Sequence, residues 1–141
     1  MGDRDLSECK ALEKAAKEAY QMAGITNPRK EVDAAEVYDA FSYQELLWTE
    51  GLGFCGAGEG GRLAASGATA KDGDIPVNPS GGLLGAHPVI AAGLIRMIEA
   101  ARQIRGEAGK MQVKPEVQTT LAHGVNGACG QSHCVWILGK D

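Results

Sequence analysis

Three short stretches of this chain carry side chains that could do chemistry. The first is Asn78-Pro79-Ser80-Gly81-Gly82-Leu83-Leu84-Gly85-Ala86-His87-Pro88. It delivers a histidine through a glycine-rich turn to a proline suited to the first position of a helix, where φ is preset and no N–H partner is needed. Backbone N–H groups and the positive end of the macrodipole would then converge on His87 and favour a neutral, proton-accepting imidazole. The second is Tyr38-Asp39, at the end of a short strand, where α/β folds commonly place site residues. A strand-end tyrosine packed on the core, with Asp39 capping the following helix, fits the same residues. The third is Cys129, between Gly127 and Gly130, whose thiol is either exposed for acid/base use or a small buried hydrophobe.

Two other patterns carry less. Gly56-Ala57-Gly58-Glu59-Gly60-Gly61 spells a dinucleotide fingerprint, but a helix precedes it instead of a strand, and no acid follows at the right distance. A flexible turn beside a ligand accounts for it better, with Arg62 able to meet a phosphate. His123, Cys129, His133 and Cys134 could be drawn as a zinc set. His133 and Cys134 are neighbours at a strand start, however, and should point to opposite faces. No metal site is expected.

Positioning these groups requires several elements. Cys9, Leu12, Ala16, Ala19, Tyr20 and Ala23 form a helical stripe, with an N-cap in Asp5-Leu6-Ser7-Glu8 and Gly24 as stop. A loop through Asn27-Pro28 leads to a strand over residues 34–38. A second helix covers residues 42–52, with Leu46 and Leu47 inward. Residues 53–87 show little periodicity and read as a binding or active-site loop. A third helix from Pro88 to Arg105 places Leu94, Met97, Ile98, Ala101 and Ile104 on one face. Strands near residues 119–123 and 134–138 close the chain, the last apolar enough to be covered on both faces. The order implies a layered α/β domain spanning residues 1–141.

Composition sets the outer limits. A formal charge of −4 argues against a nucleic-acid footprint, and no apolar run approaches the ~20 residues of a membrane span. The beginning of the chain lacks a signal peptide's apolar region, so a cytoplasmic location with free thiols is expected.

The blocks taken together resemble a family. Asp33-Ala34-Ala35-Glu36-Val37-Tyr38-Asp39-Ala40-Phe41 resembles the strand end of sterol-carrier-type thiolases, and Leu52-Gly53-Phe54-Cys55 with Gly58-Glu59-Gly60-Gly61-Arg62 resembles their following loop. Asn78-Pro79-Ser80-Gly81-Gly82 with His87-Pro88, Gln103-Ile104-Arg105-Gly106-Glu107-Ala108-Gly109 and Leu121-Ala122-His123-Gly124 continue the likeness in order. The resemblance implies the C-terminal half of a thiolase-fold protein, a mixed sheet with helices on both faces. Such proteins make or break carbon–carbon bonds in coenzyme A thioesters, with no bound cofactor. It further implies that His87 is base and oxyanion donor, that Tyr38 borders the oxyanion hole, and that Gly81, Gly82 and Arg62 help hold the thioester.

Departures from the family pattern are specific. Tyr38 stands where histidine or asparagine is usual, and Ala40 where many members carry a cysteine. The spacing from Gly82 to His87 is one residue short, and Cys129 is displaced from the family's second cysteine, which aligns nearer Asn126. A tyrosine at this place also occurs in thiolase-fold retro-aldolases, where a phenol acts as acid. The nucleophilic cysteine belongs to the N-terminal half, so the chain alone should not complete a cycle; a fragment or a subunit of a split enzyme is expected. Expected partners are that half, a second copy, and a small zinc-bearing OB-fold protein. The rival reading is a non-catalytic subunit that binds acyl-CoA or a partner protein.

Overall fold

Leucine, alanine and tyrosine at spacings of three and four bury one side of α1 (Lys10–Ala23), and Gly24 ends it in the left-handed region at φ 71°. The computed structural model describes residues 8–85, 88–127 and 132–140, so Asp5 and Ser7, His87 and Cys129 lie outside the described residues. The helix starts later than the capping signal suggests. Cys9 occupies the N-cap position with no side-chain cap, and its buried thiol lies 3.6 Å from the Leu47 carbonyl oxygen. Tertiary packing sets this start.

A short helix, α2 (Pro28–Glu31), opens on a proline and leads into β1 (Ala34–Glu36). The strand ends two residues before its expected limit because its next two N–H groups leave the ladder. Val37 N–H donates to Asn78 Oδ1 at 2.7 Å and Tyr38 N–H to His123 Nδ1 at 3.3 Å. Helix α3 (Ser42–Gly51) follows; it buries Gln44, Trp48 and Thr49, while Leu46 and Leu47 are half-buried.

Within the segment read as loop, residues Gly60–Ala65 form α4. Six residues with one buried apolar side chain, Leu63, give too little periodicity to be seen in sequence. The glycine at its start has a packing reason: a Cβ on Gly60 would lie 2.2 Å from the Leu46 carbonyl oxygen. A 3₁₀ turn over Val89–Ala91 precedes α5 (Ala92–Arg105), so the α-helix proper begins four residues beyond Pro88.

Strands β2 (Thr119–Asn126) and β3 (Ser132–Gly139) complete a mixed three-stranded sheet in the order β1-β2-β3. β1 runs parallel to β2, with Ala35 opposite Leu121; β3 is antiparallel, with Ile137 opposite Leu121. One face packs Leu121, Val135 and Ile137 with Leu12 and Ala16 of α1 in the main apolar cluster. On the other face Thr120 donates to the Ala100 carbonyl of α5 at 3.2 Å, and α5 crosses β2 where Gly93 meets Gly124. Helices on both faces of a mixed sheet match the sequence expectation. β3, expected to be covered on both sides, is half-exposed at the sheet edge.

Helix α5 turns a different face inward from the apolar one named in the sequence. Its inward residues are Ala92, Arg96, Ala100 and Gln103. Leu94 and Ile98, with Ile90 just ahead of the helix, are exposed at 61%, 48% and 99%. On the apolar face, Met97, Ala101 and Ile104 are half-buried.

The Gly60→Ala variant should lose about 1–3 kcal/mol from overpacking against backbone that cannot rotate aside. Urea denaturation should read a lower midpoint with an unchanged slope.

Candidate active site

The glycine-rich turn lacks regular structure, and side chains from the end of β1 take up its polar groups. Asn78, at φ 51°, receives Val37 N–H on its side chain and donates its own N–H to the Ala35 carbonyl at 2.7 Å. The buried Glu36 carboxylate accepts Ser80 N–H at 3.1 Å and Ser80 Oγ–H at 2.7 Å, and pairs with Arg96 Nη1 at 2.5 Å. Burial raises the Glu36 pKa; Arg96 and the Ser80 donors offset part of that rise. Asp39 does not cap the next helix. It accepts Leu83 N–H at 2.6 Å, and its carboxylate comes so close to Gly82 (φ 63°) that a Cβ there would lie 2.3 Å from an oxygen. Glycine is required at Gly82. Neither Glu36 nor Asp39 is legible in sequence as a partner of this turn, since the contacts join residues 44 apart.

Tyr38 is fixed through its main chain. Its N–H reaches His123 Nδ1, and its carbonyl accepts Trp48 Nε1–H at 2.6 Å. His123 is fully buried, and its Nε2 lies 2.9 Å from His133 Nδ1, with the two rings stacked at 5.2 Å. Trp48 packs edge-on against both rings. Burial, and then the neighbouring His133, push the His123 pKa down to about 3.

Beside this cluster lies a cavity of about 1080 Å³. Its walls come from Tyr38 and α3, from Val89, Ile90 and Leu94, and from Asn126, Gly127 and Ser132 on either side of the β2–β3 turn. Five of the chain's seven aromatic side chains line it, giving a largely apolar chamber with a few polar groups. Val89 holds φ 50°, a strained value for a β-branched residue. Cys134 also lines the cavity, but burial raises its thiol pKa, so it is a poor source of thiolate at neutral pH.

The structure thus brings Tyr38 to the cavity together with the chain on both sides of residues 128–131 and the residues just after Pro88. His87 and Cys129 themselves lie outside the described residues. Gly81 and Gly82 do not line the cavity, and Gly82 abuts the Asp39 carboxylate. Arg62 is exposed and pairs with Glu59 at 2.9 Å. The glycine loop before it turns its N–H groups onto carboxylates: Gly56 to Glu59, and Gly58 and Gly60 to Glu50. Of the histidine–cysteine set, His123 and His133 meet on one face of the sheet, while Cys134 points to the other. Among the described residues no group of three or more His, Cys, Asp or Glu could hold a metal ion, and no helix is long and apolar enough to cross a membrane.

Because the unfolded chain binds a proton on His123 near pH 6.5 and the fold does not until about 3, stability should fall as pH drops through that window. In a His123→Leu variant the denaturation midpoint should depend less steeply on pH between roughly 6.5 and 5.

Relatives share both the sequence and the fold. An acetyl-CoA acetyltransferase of Methanothermobacter thermautotrophicus is 44% identical over 128 residues, covering 90% of this chain and 33% of the relative. Human sterol carrier protein 2 is 42% identical over 117 residues, covering 81% of this chain and 21% of that protein. The solved structure of an "Ltp2-ChsH2(DUF35) aldolase" superposes with a TM-score of 0.78 at 30% identity, over 91% of this chain and 31% of that one. The chain therefore spans about a third or less of the length of these relatives. Residues 2–140 match the family described as "Thiolase C-terminal domain-like", and the chain belongs to that family.

Proposed function

We propose that this chain forms one wall of an active site that makes or breaks carbon–carbon bonds in coenzyme A thioesters, completed by a companion thiolase half carrying the nucleophilic cysteine. The observation that supports this most directly is the convergence of Tyr38, the Val89 turn and both sides of the β2–β3 turn on one open, aromatic-lined cavity. In this reading His87 is the base and oxyanion donor, Tyr38 borders the oxyanion hole, and Cys129 is the acid/base candidate of the turn. Gly81 and Gly82 shape the approach to the thioester. Arg62 meets a coenzyme phosphate; its exposed pair with Glu59 is of a kind worth little in water and can be exchanged.

The outward apolar stripe of Ile90, Leu94 and Ile98 is the surface for the companion half. A helix that buries arginine and glutamine while exposing leucine and isoleucine is organised for cover on both sides. A second copy and a small zinc-bearing protein are further proposed partners; the solved Ltp2-ChsH2(DUF35) aldolase, whose name joins Ltp2 to a DUF35 chain, supports a companion protein. The same relative supports a second chemistry. With a phenol at Tyr38 bordering the cavity, retro-aldol cleavage of a β-hydroxyacyl thioester is the alternative to thiolysis.

The test is reconstitution. Co-expressed with the companion half, the protein should catalyse thiolysis of acetoacetyl-CoA or retro-aldol cleavage. His87→Ala should lower kcat by about 10²–10³-fold, as removal of one oxyanion donor typically does. Replacing Leu94 and Ile98 with serine should abolish co-purification with the companion. Full activity of the His87 variant would remove that residue from the mechanism.

A further inference from the structure

The two edges of the sheet differ. The outer edge of β1 is taken by the segment before the glycine-rich turn: Ala35 N–H donates to the Pro76 carbonyl at 2.9 Å and Asn78 N–H to the Ala35 carbonyl at 2.7 Å. At β3 the Lys140 N–H donates to the Gln118 carbonyl at 2.9 Å, and in an antiparallel ladder bonds of this kind recur at every second residue. Cys134, Trp136 and Leu138 therefore bond to β2, while the N–H and C=O groups of Val135 and Ile137 point away from it. Among the described residues no hydrogen bond reaches those outward groups. Natural edge strands are blunted by charge, proline, bulges or shortness. β3 has none of these: Ser132–Gly139 holds no Asp, Glu, Lys, Arg or Pro and pairs with β2 in unbroken register.

Helix α1 lies over this edge. Its Leu12 and Ala16 pack with Val135 and Ile137, and it leans on β3 rather than on β2. A helix is about 10 Å across and strands lie about 4.8 Å apart, so α1 roofs the width of two strands. β3 fills one. The flank of α1 bearing Glu13, Lys17 and Gln21 shares a groove with the end of α3. On the opposite flank Ala11 and Ala15 are half-buried and Met22 is 84% exposed, a second apolar row.

We propose that the companion half adds one β-strand to the open edge of β3, bonded to Val135 and Ile137 and carrying apolar side chains beneath the Ala11, Ala15 and Met22 flank of α1. This rests on the companion half proposed above. Cys134 and Trp136 of the same strand line the cavity, which makes the edge continuous with the wall assigned to that half. A second copy does not fit. Pairing β3 with itself would set two copies of α1 about one strand spacing apart, closer than the roughly 8–10 Å that packed helices need. An added strand also accounts for the run Cys134-Val135-Trp136-Ile137-Leu138, whose composition is that of an inner strand.

Amide hydrogen exchange, read residue by residue, tests this on the wild-type chain alone and assembled with its companion half. In the chain alone the Val135 and Ile137 amides should exchange quickly while those of Trp136 and Leu138 are protected. Assembly should slow Val135 and Ile137 by about 100-fold or more. Val135→Pro removes one edge donor without touching the bonds to β2 and should weaken assembly about tenfold. Ala15→Glu, which puts a charge on the flank to be covered, should weaken it as well. Edge amides that still exchange quickly in an assembled, active enzyme overturn the proposal alone. Edge amides protected in the isolated chain also overturn it, because this chain would then hold its own edge. If the chain neither turns over acyl-CoA nor binds a companion half, the functional reading falls and takes the proposal with it.

Discussion

The buried carboxylate of Glu36 is the fixed point on which the site is built. The segment from Asn78 to Gly85 has no ladder or helix to satisfy its backbone, so its polar groups must find partners among side chains. Glu36 takes two donors from Ser80 and one from Arg96, tying the turn, the end of β1 and the middle of α5 at one point. A buried ion pair of this kind is weak evidence of net stability, but losing one partner strands a charge in the core. Its effect is geometric. It makes the position of the turn depend on the sheet and on α5 at once.

Much of this architecture is legible in the sequence, and the failures share a physical cause. The stripe of α1, the extent of α3 and the two closing strands follow from local periodicity and turn residues, which act over a few positions. The end of β1, the role of Asp39 and the helix at Gly60 depend on contacts between distant parts of the chain. Tyr38 is recognisable as a strand-end residue, but the reason its main chain is held there, His123 with Trp48, lies partly 85 residues away. The type of His133 suggests a metal ligand; its pairing with His123 becomes visible only once the antiparallel register is known.

Helix α5 shows how a periodic pattern can identify an element and leave its direction open. Hydrophobic periodicity reports which face avoids water, not which partner covers it. Leu94 and Ile98 of α5 are exposed, while Arg96 and Gln103 serve internal polar contacts with Glu36 and the 109–113 segment.

The parallel pairing of β1 with β2 also bears on the order in which the molecule is made. Antiparallel β2 and β3 are separated by five residues and can meet as soon as both exist, whereas β1 must wait for a strand more than 80 residues further along. During synthesis α1, β1 and α3 emerge before β2 and cannot complete their sheet until β2 has left the ribosome. Tyr38 is thus made before its main-chain support, which comes from His123 on β2, 85 residues later. Any truncation that removes β2 and β3 leaves β1 with only its single bridge to Val77.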